Sequence, residues 1–457
     1  MDLIDRLRSA LGEAGVRTGA DIPARNRTDA SAEADTEPLA LLLPRTTAEV
    51  SAALTLCHAA RQPVVPQGGM TGLVDGSRPD KGEIAISLER MSGVEDIDLV
   101  SGTITALSGT PLETVQKAAE ARGRMIGIDL GARGSCTIGG NVATNAGGHS
   151  VLRYGMMRAN VRGLEAVLAD GRILRSNSRM MKNNTGIDWT QLMIGSEGTL
   201  GIVTQVTLTL HPRPAAISTA LVMVPDTAAA LALLRDLQPR LPGGLLVFEA
   251  MWSELYAIAS GPMGLNLPFA ATDEVYLLIE ATEMTPDGTA LIDALHVNLE
   301  NGRLTDAVIA QSEAERQRFW ALRESVYEHG RMFGRAVGFD VSFPLDRIAI
   351  AIEELRHRIG RVFPDAVWVV FGHLADCNLH VNIMVDPSGA ETRKQAESLV
   401  YGLVGELEGS VSAEHGIGRA KAPYLHLTRS PEELGLMAQI KRTLDPDNIL
   451  SPGRILP

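Results

Sequence analysis

Residues 371–382 read Phe-Gly-His-Leu-Ala-Asp-Cys-Asn-Leu-His-Val-Asn, which sets His373, His380 and Asn382 in an otherwise apolar run. Residues 412–418 read Ser-Ala-Glu-His-Gly-Ile-Gly and set Glu414 and His415 beside two glycines. Two imidazoles and a carboxylate suit a borderline divalent metal with open coordination positions. A single histidine is more often a packing or switch residue than a ligand. The joint occurrence of these groups favours the ligand reading. His373 and His380 are seven residues apart, so one continuous strand would point them to opposite faces. They converge only if residues 375–378 bend the chain, and Ala-Asp-Cys-Asn is turn-like. Cys377, between the two histidines, reads as part of that turn. Asn382 lies two residues after His380 and shares its face.

A second set of residues could cradle an anion. Residues 66–77, Pro-Gln-Gly-Gly-Met-Thr-Gly-Leu-Val-Asp-Gly-Ser, follow an expected strand. The glycines there allow positive φ and let backbone N–H groups approach phosphate closely. Neither a Walker loop nor a GxGxxG after a strand occurs, which disfavours a P-loop or a Rossmann NAD site. Residues 129–148 are longer, poor in large side chains and nearly uncharged. Such a stretch cannot pack on itself and would lose much entropy on ordering. Something large must fill the space beside it, and a dinucleotide fits.

These groups need elements to hold them. Residues 39–44 predict a buried strand ended by Pro44, and Thr47 a helix N-cap for a helix running to about Arg61. Residues 63–66, 84–88, 103–108, 161–168 and 200–210 predict further strands, and Pro111 starts a helix ending near Gly123. His211-Pro-Arg-Pro214 reads as a boundary, because two prolines end a strand and stiffen a linker. Beyond it, strands at 220–224 and 275–280 alternate with helices at 226–237 and 287–298, the pattern of an α+β layer with an antiparallel sheet. Residues 432–457 read as a helix, a turn at 445–448 and an extended end. Residues 26–37 read as a polar surface loop.

Length and composition bound the answer. With 457 residues and 45% apolar content, two or three domains can each bury a core. A net charge of −13 argues against a general nucleic-acid binder, but leaves room for a local cationic pocket and an anionic substrate. Cys57, Cys136 and Cys377 are far apart, odd in number and without CxxC spacing, which argues against a disulfide framework or a thiolate zinc site and suits a reducing compartment. Residues 1–15 form an amphipathic helix pattern without the basic start and apolar block of a signal peptide. No run of about 18 apolar residues suggests a membrane span. The expectation is a cytoplasmic protein, with peripheral membrane association open.

PQGGxTG, the IGGNVATNAGG segment with the following LRYG, and residues 194–201 (Ile-Gly-Ser-Glu-Gly-Thr-Leu-Gly) resemble the FAD-binding half of the vanillyl-alcohol oxidase / p-cresol methylhydroxylase flavoproteins. The likeness extends over nearly the whole chain to the D-lactate and D-2-hydroxyglutarate dehydrogenase branch. It implies FAD held by Pro66, Gln67, Gly68, Gly69, Met70, Thr71, Gly72 and Leu73 in the first loop. In the second region it implies Asp129, Gly134, Ser135, Thr137, Gly139, Gly140, Asn141, Ala143, Thr144, Asn145, Gly147 and Gly148. Glu197, Gly201, Ile202, Val203 and Asn448 complete the implied set, Ile202 and Val203 through backbone groups near the adenine. Some relatives tether FAD to a histidine in the first loop. Residues 66–77 hold none, so non-covalent FAD is expected. For Asn141, Thr144 and Asn145, local turn bonding is the competing reading.

GHLADCNLH and SAEHGIG resemble the GHxGDGNxH and EHGIG motifs of the same branch. The resemblance implies that His373, His380 and Glu414 ligate Zn²⁺ or Mn²⁺, that Asn382 touches substrate, and that His415 is the base. Ala375 and Cys377 stand where the family usually has glycine. Both are small, so the turn is expected to survive. Residues 319–324 contain the family's W-x-x-R-E, in which Arg323 would bind the substrate carboxylate. A guanidinium fork suits that task. An arginine paired with a glutamate on the helix surface is the bland alternative. In the 2-hydroxyglutarate dehydrogenases a threonine and a lysine follow this motif. Here Tyr327 and Gly338 occupy those positions.

The expected fold is therefore α+β. Residues 1–35 form an N-terminal helix and lead-in, and 36–213 a two-part FAD domain of the p-cresol methylhydroxylase type. Residues 214–420 form an antiparallel-sheet cap, and 421–457 a tail returning to the FAD domain. The active site is expected where cap and flavin meet. The implied function is oxidation of a D-2-hydroxy acid to the 2-oxo acid, with hydride to flavin N5 and the proton to His415. Implied partners are a small 2-hydroxy acid and an electron acceptor such as a quinone or electron-transfer flavoprotein. No nucleic acid is implied, and a homodimer is the candidate assembly. Three competing readings are a silent FAD-binding subunit of a glycolate-oxidase-like complex, an oxidase reacting with O₂, and a metallohydrolase. The intact His, Glu and Arg set opposes the first, and the glycine loops oppose the last.

Overall fold

The turn residues divide the chain where a strand gives way to Pro-Arg-Pro. A computed structural model describes residues 2–31, 35–176, 180, 182–386 and 389–456. The polar loop expected at 26–37 falls partly on residues 32–34, outside the described residues. Two units emerge. One comprises Met1–Gly148, Tyr154–Arg213 and Glu414–Pro457, the other His149–Arg153 and Pro214–Ala413. The units meet in the chain at Arg213 and again at Ala413, and the N-terminal residues pack within the first. The physical reason for the latter is that Leu7, on the amphipathic helix Leu3–Leu11, is fully buried with Val16, Ala40 and Leu54 in one core. No helix among the described residues is long and apolar enough to cross a membrane.

The first unit holds two small sheets. In one, Ala40–Leu42 and Val64–Gln67 flank Ile84–Ser87 in parallel, and Val16–Arg17 adds an antiparallel edge. These strands are almost wholly apolar, as strands covered on both faces must be. The following helix, Thr47–Ala59, is capped by Thr46, whose hydroxyl accepts the Glu49 N–H; the expected cap, Thr47, is one residue too late. Its hydroxyl instead contacts Glu165. The other sheet is antiparallel, ordered Val94–Asp98, Thr103–Leu107, Ile202–Thr209, Val161–Val167 and Ile173–Ser176. Its two edge strands carry mixed polar patterns and were not expected. His211–Pro212 forms a two-residue pairing with Arg124–Met125 before the boundary, so the strand signal outlasts its first proline.

The second unit is a seven-stranded antiparallel sheet backed by helices. Its order is Asp306–Ile309, Ala216–Val224, Val275–Glu283, Leu245–Met251, Val367–His373, Asn378–Met384 and Val337–Ser342. Val275–Glu283 and Leu245–Met251 lie inside the sheet and are buried along their whole length. Each nevertheless carries glutamate, a point taken up below.

The C-terminal residues of the first unit are fixed by charge. The Arg454 guanidinium, fully buried, donates to both oxygens of Glu83 at 2.8 Å and to the carbonyls of Gly76, Arg78 and Pro452. Burial opposes the charge on Glu83, but the bonds from Arg454 hold its carboxyl below the usual range. A depressed carboxylate contributes stability above its unfolded pKa of about 4.3 and loses it as pH falls through the lower folded value. Removing one partner of such a pair costs about 3–5 kcal/mol. Arg454→Ala should therefore lower the unfolding free energy at pH 7 by that amount in denaturant titrations. The deficit relative to the parent should shrink as pH falls below about 4. A variant equal to the parent at pH 7 would contradict this account.

Candidate active site

In the first unit the two glycine regions line one cavity of about 570 Å³. Gly68, Gly69 and Met70 contribute from the first loop, and Gly134, Ser135 and Thr137 from the second. Among the described residues, the backbone N–H groups of residues 68–72 make no intrachain hydrogen bond. Met70 adopts φ +57°, a left-handed conformation that turns successive N–H groups toward one point. A Cβ on Gly69 would lie 2.1 Å from the Ser135 carbonyl oxygen, so only glycine lets the two loops approach this closely. Unpaired donors, a glycine cradle and a cavity of this size fit the pyrophosphate portion of FAD.

Other implied cofactor residues have different tasks. Gln67 is buried, and its amide exchanges hydrogen bonds with Asn26 and donates to the Ser77 carbonyl, bracing the loop from behind. Thr137 caps the helix Ile138–Ala143. Asn141 donates to Cys136 Sγ, Thr144 to the Gly140 carbonyl, and Asn145 accepts from the Arg158 N–H at 2.9 Å. Local bonding thus engages all three side chains. Asp129 accepts from Gln116 and pairs with Arg133. Ile202 and Val203 open a strand in register with Val167 and Ala166. Asn448 is exposed in the turn 445–448, at φ +50°. Glu197, implied at the cofactor, bonds within the chain. Its two carboxylate oxygens accept the N–H groups of Ile417 and Gly418 at 2.7 and 2.8 Å. Arg25, Glu89, Ser92 and Gly109 line the cavity without any sequence signal having marked them, as does Pro111, read only as a helix start.

In the second unit the histidine hairpin forms. Val367–His373 pairs with Asn378–Met384, the 3₁₀ turn Leu374–Asp376 joins them, and Cys377 takes φ +73°. Phe371 lies opposite His380, so His373, two residues on from Phe371, shares the face of His380. Their rings meet edge to face at 5.7 Å between centroids. Register places Asp340 opposite His380, Gly338 opposite Asn382 and Glu249 opposite His373. One sheet face therefore carries two histidines, two carboxylates and an amide.

Glu249 is the hub of this face. It is 1% exposed, and its Oε2 accepts from Arg323 Nε at 2.6 Å. His373 Nδ1 lies against its Oε1, and His149 Nδ1 is 3.7 Å from the same oxygen. Burial opposes its charge, but His373 and Arg323 hold the carboxyl well below the usual carboxylate range. Arg323, 3% exposed on the helix Glu313–Glu324, stacks over Phe371 at 4.5 Å. Of its guanidinium, only Nε is engaged in a hydrogen bond among the described residues. Trp320, one turn earlier, donates to the buried Glu280, which also accepts from Arg316 and Thr219. His149 packs edge-on against Trp320 at 4.9 Å. Asp340, 1% exposed, sits 3.9 Å from His380 Nδ1 and accepts from Ser412 Oγ at 3.4 Å.

The structure thus gathers Arg323, His373, His380 and Asn382 on or against one sheet. Tyr327, on the turn Ser325–Glu328, is 69% exposed. Glu414 and His415 begin the return segment of the first unit, two and three residues after Ser412. Glu249, Asp340 and His149 were not singled out in the sequence. The signal for the first two was a single acid inside an apolar strand, Leu-Leu-Val-Phe-Glu-Ala-Met and Val-Gly-Phe-Asp-Val-Ser. Buried acids need partners, so such positions point to paired groups. His149 carried no such signal.

Comparison with known proteins gives the family and the fold. The FAD binding domain family matches residues 38–177, and the family described as FAD linked oxidases, C-terminal domain, matches residues 213–455. The mitochondrial D-2-hydroxyglutarate dehydrogenase of Bos taurus is 41% identical over 91% of this chain and 76% of its own. A probable mitochondrial D-2-hydroxyglutarate dehydrogenase of Oryza sativa subsp. japonica is 38% identical over 100% of this chain and 82% of its own. The structure of p-cresol methylhydroxylase with substrate bound superposes with a TM-score of 0.77 over 99% of this chain and 96% of that one, at 18% identity, which shows a shared fold. The class is that of FAD-linked oxidases. Within it, the chain belongs to the family of FAD-linked D-2-hydroxy acid dehydrogenases.

Glu249→Ala strands a buried guanidinium, which costs about 3–5 kcal/mol in unfolding free energy. Arg323→Ala should cost a similar amount. The double variant should fall well short of the sum, because each single change leaves an unpaired charge. Additive losses in the denaturation cycle would mean the two residues are energetically independent.

Proposed function

We propose that this chain oxidises D-2-hydroxy acids to 2-oxo acids, with FAD as the first electron acceptor. The observation that carries the reading is the Arg323 guanidinium. It is fixed through Nε by Glu249, while its Nη edge has no hydrogen-bond partner among the described residues, and it lies beside the imidazole pair. A fork held on one side and open on the other suits a carboxylate. The identity to proteins named D-2-hydroxyglutarate dehydrogenases supports the same substrate class.

His373, His380 and Glu414 would hold a divalent metal, Zn²⁺ or Mn²⁺. The donor set fits. Glu249 stands behind Nδ1 of His373, the arrangement that directs Nε2 as the ligating nitrogen, and Asp340 lies 3.9 Å from Nδ1 of His380. When bound, the metal would supply Lewis-acid polarisation of the substrate hydroxyl and FAD a two-electron hydride acceptor. The chain's own groups do the rest. Arg323 fixes the carboxylate, Asn382 contacts the substrate from the face it shares with His380, and His415 takes the hydroxyl proton. FAD is held without a covalent tether, and a quinone or electron-transfer flavoprotein serves as second acceptor for a cytoplasmic enzyme.

Substrate choice follows from Gly338. It sits opposite Asn382, and a Cβ there would lie 3.1 Å from the Asn382 Oδ1. A lysine at this register would add a cation beside the substrate contact, and here there is none. Losing a charge-assisted hydrogen bond costs about 1.5–3 kcal/mol, or roughly ten- to a hundredfold in specificity. Monocarboxylates with apolar or aromatic tails should therefore compete better with D-2-hydroxyglutarate than in lysine-bearing relatives.

The test is a dye-coupled screen of D- and L-2-hydroxy acids, including lactate, mandelate, malate and 2-hydroxyglutarate, with and without chelator. D-acids alone should turn over. Chelation should abolish turnover with the flavin spectrum intact, and Zn²⁺ or Mn²⁺ should restore it. His415→Ala should slow flavin reduction by about 10²–10⁴ with FAD retained, and Gly338→Lys should shift preference toward 2-hydroxyglutarate. Turnover of L-acids, or full activity in metal-free protein, would overturn the mechanism. Exclusive preference of the parent for 2-hydroxyglutarate would overturn the specificity argument.

A further inference from the structure

We propose that Glu197 is a positioning residue for His415, acting through the backbone of residues 416–418; this rests on His415 being the base. One carboxylate accepts two successive N–H groups, Ile417 at Oε1 and Gly418 at Oε2. Charge-assisted bonds of this kind are short and directional, and a pair of them fixes orientation as well as distance. The loop is built for the contact. Gly416 has φ +85°, and a Cβ on it would lie 2.7 Å from Glu197 Oε1, so a side chain here would displace the carboxylate.

Glu197 is itself tied to the cofactor half of its own unit. Its N–H donates to the Ala143 carbonyl at 2.7 Å, and the Gly195 N–H to the Val142 carbonyl at 3.0 Å. Both carbonyls end the helix Ile138–Ala143 of the glycine-rich region. On the far side, the N–H groups of Arg419 and Ala420 donate to the Val74 carbonyl in the first glycine loop. The two residues after His415 that follow Gly416 are thus clamped to the frame that shapes the cradle. His415 is two covalent steps from Ile417, so its backbone inherits that placement. Glutamine at 197 keeps the size but offers one carbonyl acceptor and an NH₂ that would face an N–H donor. A base misplaced by about 1 Å can lose on the order of a hundredfold in rate.

The experiment compares the FAD-loaded parent with Glu197→Gln. Three quantities are read: FAD per chain, limiting rate and substrate half-saturation of anaerobic flavin reduction by a D-2-hydroxy acid, and amide hydrogen exchange at Ile417 and Gly418. The variant should keep parental FAD content and a half-saturation within about threefold. Its limiting rate should fall about ten- to a hundredfold, and the two amides should exchange at least about tenfold faster. A parental limiting rate, or loss of FAD in proportion to lost activity, overturns the proposal; the latter would return Glu197 to cofactor contact. If the variant does not fold, the parent's exchange decides: core-like protection at Ile417 and Gly418 supports the brace, loop-like exchange overturns it. A parent that no D-2-hydroxy acid reduces overturns the proposed activity and the positioning role with it, while the exchange arm separately reports whether the brace exists.

Discussion

One buried carboxylate organises the chemistry of the second unit. Glu249 sits in the middle of an apolar strand, where an unpaired charge would cost several kcal/mol. The fold resolves this by supplying a guanidinium on one oxygen and an imidazole on the other. Satisfying Glu249 therefore fixes the helix carrying Arg323 against the hairpin carrying His373. What is a stability requirement for the strand also places the groups proposed to bind substrate and metal. Asp340 repeats the logic one strand pair away, behind His380.

The first unit uses the opposite device. Its cradle is built from backbone donors left without partners and from glycines that keep side chains out of the way. Unsatisfied N–H groups are costly where buried, so the loop is stable only beside a ligand or solvent that completes them. Of the side chains that the sequence motifs imply at FAD, Gln67 braces this loop from behind and Thr137 both lines the cavity and caps a helix. Gln67, Thr137 and Asn145 spend their polar atoms on neighbouring backbone or on each other's turns. They matter to the cofactor by shaping the cradle.

Much of this was legible in the sequence because it depends on local chemistry. Glycine density marked the cradle, and paired motifs marked the hairpin, whose turn tolerated Ala375 and Cys377 as expected. The antiparallel sheet followed from the alternation of strands and helices after His211-Pro-Arg-Pro214. What was not legible depends on distant partners. Glu249 and Asp340 are separated from the residues they orient by strand pairing, not by sequence. Glu197 lies in a motif that suggested the cofactor, yet its partners are 220 and 221 residues away. The helix cap moved from Thr47 to Thr46 because two adjacent threonines offer the same chemistry and only backbone geometry selects between them. Tyr327 was placed by motif spacing, which does not say which side of a 3₁₀ turn faces solvent.

The central claim is that Glu249 presents the open edge of Arg323 to a substrate carboxylate. It is tested most directly by kcat/KM for flavin reduction by a D-2-hydroxy acid in Arg323→Lys. Lysine keeps the charge and can still approach Glu249, but it lacks the planar fork that bonds on two sides. The account predicts a fall of about tenfold to a thousandfold in kcat/KM with FAD content and spectrum unchanged. Parental efficiency in Arg323→Lys would contradict it.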